Sequence, residues 1–73
     1  MAMYERGINT ATQFVPWNDL LGYSFSGPLL DLIYRTYLLG TYEMSVSTRC
    51  REELRERAEQ VIRHYAPHAK RTR

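Results

Sequence analysis

Apolar and charged residues recur with a helical period in the last third of the chain, between residues 47 and 65. The opposite side of this segment is charged, and Pro67 follows as a helix stop. The pattern is typical of an amphipathic helix, and it predicts one from Ser47 or Thr48, whose hydroxyl groups suit an N-cap, to Tyr65. Its apolar face carries Cys50, Leu54, Ala58, Val61, Ile62 and Tyr65.

The first part of the chain has the residue types of β-strands. We expect residues 1–3 to be disordered, as chain starts commonly are. Residues 8–15 are rich in β-branched and aromatic side chains, so they favour a strand that Pro16 ends. Residues 17–20 then predict one tight turn that brings Trp17, the largest apolar side chain, over the core.

A second strand is predicted at residues 22–26, where large apolar and small polar side chains alternate. Tyr23 and Phe25 share one face, which indicates a half-buried strand. Residues 26–28 form a turn signal after it. The predicted core combines side chains of this strand, the turn and the helix, namely Trp17, Phe25, Leu54, Val61 and Ile62.

Residues 29–39 fit two structures, and the choice decides the fold class. Pro28 before the segment and Gly40 after it are helix boundary signals. The same residues also alternate as a strand, followed by a bend at residues 36–40 and a further strand at 41–46. Residue propensity favours the helix and the strand about equally, because leucine favours the helix while tyrosine, isoleucine and threonine favour the strand.

A family resemblance favours the strand. The segments that carry it are Tyr4 to Ile8, Phe14 to Trp17, Gly22 with Tyr23, and the alternating run from Leu30 to Tyr34, followed by a strand and an amphipathic helix. Together these resemble the small bacterial pleckstrin-homology-like domains of unknown function, over residues 4–65. The resemblance implies two strands within residues 29–46 and a helix that covers the end of a curved antiparallel sheet.

The expected fold is therefore α+β, with a small antiparallel sheet of about four strands packed by one C-terminal amphipathic helix. A complete pleckstrin-homology fold has seven strands, so the chain resembles the C-terminal half only. The expected organisation is a single domain at residues 1–67 and a basic tail at 68–73. With 73 residues the domain is near the small end of what folds alone.

Charge and cysteine content restrict the function classes. The net charge is +2, and residues 63–73 hold four cations and no acid, so the basic character belongs to the tail. Such a tail is typically a frayed, solvated end, and truncation after Pro67 is expected to leave the fold intact. The lone Cys50 fits a reducing, cytoplasmic location. We expect neither a signal peptide nor a transmembrane segment, because the apolar stretches are short and interrupted by polar residues.

The residue pattern contains no catalytic arrangement, and we expect no enzyme, cofactor or metal. His64 and His68 have the spacing of metal ligands on a helix, but Pro67 lies between them and no further ligand is placed nearby. The expected function is a non-enzymatic protein–protein interaction module that works as a homo-oligomer or as part of a larger complex. Its predicted interface residues are Tyr34, Tyr37, Leu39 and Tyr42.

The alternative is a nucleic-acid-binding module that uses the basic tail, because cations at a chain end can contact phosphate groups. Attachment to a membrane surface ranks third, since only the family resemblance supports it and fold does not imply function. The predicted phosphate or anion contacts are Arg63, Lys70, Arg71 and Arg73. Steep salt dependence of binding would distinguish the nucleic-acid module from the protein-interaction module.

Overall fold

Two β-sheets and one C-terminal helix make up the described part of the chain. The structure, a computed structural model, describes residues 1–37 and 40–72. The strands are β1 (Ala2–Tyr4), β2 (Gly7–Asn9), β3 (Phe14–Pro16), β4 (Leu20–Ser26), β5 (Leu29–Thr36), β6 (Tyr42–Arg49) and β7 (Lys70–Arg71), and the helix is α1 (Arg55–Tyr65). Short 3₁₀ turns lie at Trp17–Asp19 and Glu52–Leu54. The α+β class with antiparallel strands and one C-terminal helix is confirmed.

The smaller sheet is an antiparallel meander of β1, β2 and β3. The strand expected at residues 8–15 is therefore two short strands, because Thr10 turns the chain: its hydroxyl donates to the Gln13 carbonyl at 2.8 Å. The expectation of disorder at residues 1–3 is wrong, since Ala2–Tyr4 pairs with β2 and Met3 packs against the core.

The larger sheet has the strand order β6-β5-β4-β7. β4 and β5 form a hairpin that closes at Ser26 and Leu29, and Gly27 takes a φ of 56° in its turn, a conformation that favours glycine. The strand structure of residues 29–36 is confirmed, with Leu30, Leu32 and Tyr34 on the buried face. The central residues of the bend expected at 36–40 lie outside the described residues.

The helix begins later than its apolar pattern predicts. β6 continues to Arg49, and α1 starts at Arg55 rather than at Ser47 or Thr48. Thr48 pairs with Leu30 inside the sheet, and Cys50 donates its N–H to the Pro28 carbonyl at 2.8 Å. Residues 47–49, which the helical pattern assigned to the helix, therefore belong to the sheet. The helix ends at Tyr65, just before Pro67, as expected.

The core lies between the larger sheet, α1 and the smaller sheet. Trp17 is buried, stacks on Tyr65 at 5.5 Å and donates its indole N–H to the Tyr4 carbonyl at 2.8 Å. The expected core positions Trp17, Phe25 and Ile62 are confirmed, and Val61 packs against the core while partly exposed. The expectation for Leu54 is wrong: this residue lies in the 3₁₀ turn before the helix and is 48% exposed.

The basic C-terminal segment is docked on the protein. β7 pairs in parallel with β4, Thr72 donates its N–H to the Tyr23 carbonyl at 2.9 Å, and His68 Nε2 donates to the Trp17 carbonyl at 3.1 Å. The expectation of a frayed, solvated tail at residues 68–73 is therefore wrong for residues 68–72, because they complete an edge of the sheet.

Candidate interaction surface at the free edge of β6

β6 is the longest edge strand in the described part of the chain. β6 has eight residues and lies at the end of the larger sheet, with β5 as its one neighbour among residues 1–37 and 40–72. Each of its residues, from Tyr42 to Arg49, has a register partner on β5, from Thr36 to Leu29. Its residues are exposed apart from Val46, which is partly buried, and Thr48, which is buried.

The direction of each backbone group follows from one hydrogen bond. The N–H of Cys50 points to β5, where the Pro28 carbonyl accepts it. In an antiparallel ladder, residues alternate between those that bond to the neighbouring strand and those whose N–H and C=O point away from it. The even-numbered residues of β6 therefore bond to β5. The outward N–H and C=O groups belong to Glu43, Ser45, Ser47 and Arg49.

Side chains of β6 divide between the two faces of the sheet. On the face that carries the core, exposure rises along the strand from 5% at Thr48 to 50% at Met44 and 51% at Tyr42. One end of this face is therefore covered, and the other end is open to solvent. On the opposite face, Glu43 lies across from Arg35.

A cavity of about 500 Å³ lies beside the end of β6. Its surface is mostly apolar, and Leu54 contributes to it with an exposed side chain. The Cys50 thiol is free and buried, and burial raises its pKa, so that it stays protonated at neutral pH. The cavity is lined by Met1, Pro28, Arg49, Cys50, Arg51 and Leu54.

The structure separates the four predicted interface residues. Tyr34 is 8% exposed and accepts a hydrogen bond from the Gln13 side-chain amide, so most of its side chain is buried within its own chain. Tyr37 is exposed and donates its hydroxyl to Asp19 at 3.1 Å. Tyr42 lies on β6 and is exposed. Leu39 is outside the described residues.

Two of the four predicted phosphate contacts, Arg63 and Arg71, lie against the same carboxylate. Arg71 donates to Glu59 at 2.9 Å, and Arg63 approaches the same carboxylate at 3.6 Å. The Arg71 guanidinium also lies 5.5 Å from the centre of the Phe25 ring. Lys70 is exposed on β7, and Arg73 is outside the described residues.

The sequence contains a signal for the longer β6 that the helical pattern obscured. Small polar or charged residues at 43, 45, 47 and 49 alternate with larger or β-branched ones at 44, 46 and 48. This period of two continues beyond Val46, the predicted strand end, to Arg49. This alternation is the sequence signal that Ser47 and Arg49 belong to the strand and present their backbone groups at its edge.

Comparison of the chain with protein-family models, with curated proteins and with solved structures finds no match. No helix in the described ranges is long and apolar enough to span a lipid bilayer. Within the same ranges, no three His, Cys, Asp or Glu side chains come together as a metal site would require.

Proposed function

We propose that the protein is a non-enzymatic protein–protein interaction module, located in the cytoplasm, in which the free edge of β6 binds an extended strand of another polypeptide. The observation that carries this proposal is the set of outward N–H and C=O groups on Glu43, Ser45, Ser47 and Arg49. A strand added at such an edge forms main-chain hydrogen bonds along its whole length.

The composition of β6 supports this role. Proteins that keep an edge strand unpaired protect it with lysine, proline, a bulge or a covering element. β6 contains neither lysine nor proline, its two charged residues Glu43 and Arg49 lie near its ends, and its register with β5 is regular. Exposed Met44 and Tyr42 add apolar surface beside the edge, of the kind that marks protein interfaces.

Nucleic-acid binding by the C-terminal cations ranks below this proposal. Arg63 and Arg71 both lie against Glu59, so one carboxylate offsets part of their attraction for phosphate. Resemblance to the C-terminal half of a pleckstrin-homology fold stays a proposal too. If it holds, a larger protein that supplies the missing strands is a further candidate for the polypeptide bound at β6.

Site-specific photocrosslinking tests the proposal. A benzoylphenylalanine replaces Ser45 on the free edge, and in a matched control it replaces Gln60, which is exposed on α1. After irradiation in the native host, we expect polypeptide adducts from position 45 and few from position 60. Equal adduct yields at the two positions, or none at either, would contradict the proposal.

A proline substitution tests whether the backbone edge itself carries the binding. Ser45 points its N–H outward, so Ser45→Pro removes a donor from the free edge and leaves the ladder with β5 intact. Ser45→Ala removes the same hydroxyl and keeps the N–H, which makes it the matched control. We expect Ser45→Pro to abolish association and Ser45→Ala to preserve it, while both variants keep a wild-type circular dichroism spectrum.

A further inference from the structure

We infer that the polypeptide bound at this edge is a second copy of the chain, joined by antiparallel β6–β6 pairing about a two-fold axis at Val46. This inference rests on the proposed function, because it identifies the partner of the same edge. It follows from the backbone directions and charges of β6. The result is one continuous sheet formed by the two four-stranded sheets, with both copies of α1 on the same face.

Backbone geometry selects the register. A two-fold axis perpendicular to the sheet leaves the same face of both copies on the same side. Residues directly opposite each other must then point to the same face, so one residue of β6 lies opposite its own copy at the axis. With the axis at Val46, Glu43 lies opposite Arg49 of the second copy and Ser45 opposite Ser47. Each such pair exchanges two hydrogen bonds, so all four outward residues of both strands are paired.

The neighbouring registers satisfy fewer groups. An axis at Ser45 leaves the outward groups of Arg49 without a partner in the ladder, and an axis at Ser47 leaves those of Glu43 without one. An unpaired backbone group at an interface that excludes water costs free energy comparable to a lost hydrogen bond. The register centred on Val46 is therefore the most favourable of the three.

Side-chain charge selects the same register. Glu43 and Arg49 lie on the same face of β6, so the pairing places opposite charges directly across the new ladder, twice in the dimer. Glu43 already lies across from Arg35 of its own chain and would lie between two arginine positions. Val46 meets its own copy at a non-hydrogen-bonded pair, where the two side chains lie closest.

The same register covers apolar surface that the monomer exposes. Met44 lies opposite Thr48 of the second copy, and Tyr42 lies beside the position of Cys50. Cys50 and Leu54 line the cavity of about 500 Å³, so the exposed Tyr42 ring is placed at the mouth of that cavity in the other copy.

Disulfide trapping tests the register. In Val46→Cys the two introduced thiols face each other, at a Cα separation of about 4.5 Å that a disulfide can bridge. Met44→Cys is the matched control on the same face of the same strand. Its two copies lie four residues apart along the ladder, about 13 Å, which is too far for a disulfide.

We expect oxidised glutathione to convert most of the Val46→Cys protein to a covalent dimer on non-reducing gels. The Met44→Cys protein and the wild type, whose Cys50 is buried, should stay monomeric on the same gels. Because Met44 is the more exposed position, random collision would favour the opposite result. Equal trapping at both positions, or preferential trapping at position 44, would overturn the register.

Charge reversal gives a second test that does not depend on a new thiol. Glu43→Arg and Arg49→Glu each place like charges across both pairs of the dimer, and we expect each to weaken dimerisation by about tenfold. An equimolar mixture of the two variants restores both opposite-charge pairs. In sedimentation equilibrium, the mixture should form a heterodimer with nearly wild-type affinity; a mixture no tighter than the single variants would contradict the inference.

Failure of this inference is distinguishable from failure of the proposed function. If the crosslinker at position 45 captures a different protein while the purified chain sediments as a monomer, the edge is an interaction site and the second copy is not its partner. If position 45 captures no polypeptide, the proposed function and the inference both fail.

Discussion

The two edges of the larger sheet differ in how much of their backbone the chain itself covers. At the β4 edge, Lys70–Arg71 adds a short parallel strand, and Thr72 extends the contact by donating to the Tyr23 carbonyl. At the β6 edge, the outward groups of Glu43, Ser45, Ser47 and Arg49 have no neighbouring strand within the described part of the chain. One edge is partly covered by the chain itself, and the other has no further strand beside it among the described residues.

A strand of two residues suffices at the β4 edge because its side chains anchor it. Arg71 bonds to Glu59 of α1 and lies over the Phe25 ring, and His68 bonds to the Trp17 carbonyl. Glu59 also accepts the Tyr23 hydroxyl at 2.9 Å. The helix, β4 and β7 thus meet at the Glu59 carboxylate. β6, by contrast, pairs with β5 alone among the described strands.

Removal of residues 68–73 is the strongest test of this difference. The truncated protein loses the β7 ladder, the Thr72 and His68 bonds and the Arg71–Glu59 pair. At about 1 kcal/mol for each buried bond and less for the exposed ion pair, we expect a loss of about 2 to 3 kcal/mol in the free energy of unfolding. Urea denaturation measures it.

The truncated protein should also associate more strongly, because both edges of the sheet are then open. Light scattering at matched concentrations measures this second effect. Unchanged stability together with unchanged association would mean that β7 does not protect the β4 edge.

A single methyl group at Gly22 should displace β7 while leaving the rest of the chain intact. A Cβ at Gly22 would lie 2.9 Å from the Lys70 carbonyl oxygen, so that the two backbones cannot keep their spacing. We expect Gly22→Ala to cost about 1 to 2 kcal/mol. Ser24→Ala, two residues along the same face, is the matched control and should cost less.

A double-mutant cycle sharpens the Gly22 test. In the protein truncated after Pro67 the Lys70 carbonyl is gone, so Gly22→Ala should there lose most of its effect on the free energy of unfolding. If Gly22→Ala lowers the free energy of unfolding equally in the full chain and in the truncated protein, the strain lies elsewhere in β4.

Alkaline pH should weaken the polar contact at the β4 edge. Burial, followed by the hydrogen bond to Glu59, raises the pKa of Tyr23 in the folded protein. The stabilising contribution is therefore full below the unfolded pKa of about 10 and is lost as the pH rises through the higher folded pKa.

Tyr23→Phe provides the comparison for the pH effect. At neutral pH it should cost about 1 kcal/mol for the lost hydrogen bond, and its stability should fall less steeply than that of the wild type above pH 10. Urea denaturation between neutral pH and pH 11 measures both slopes. Parallel slopes would mean that Tyr23 does not contribute to the alkaline loss.

The smallest effect is expected on the open side of the molecule, at Leu54. Its side chain is 48% exposed beside the cavity at the end of β6, so Leu54→Ala should change the free energy of unfolding by less than about 1 kcal/mol. Ile62→Ala on the buried face of α1 is the control, and should cost about 2 to 5 kcal/mol. Equal losses from the two variants would show that Leu54 is part of the core.

Local patterns alone were enough for several elements. Alternation at residues 22–26 placed Tyr23 and Phe25 on the buried face, and Pro67 marked the end of the helix within two residues. The turn that buries Trp17 follows from Pro16 and the polar residues after it. These features depend on side-chain period and on proline geometry, which act over a few residues.

The free edge and the docked tail depend on tertiary structure. Residues 47–50 satisfy both a helical and a strand pattern, and pairing of Thr48 with Leu30 decides for the strand because that pairing extends an existing ladder. Docking of β7 depends on Gly22, Glu59 and Phe25, which are 12 to 48 residues away in sequence from the residues of β7 that they contact. The sequence by itself determined the period and the boundaries of the local elements. Only the tertiary structure decided which sheet edge the chain covers and which it leaves open, because each depends on contacts between distant residues.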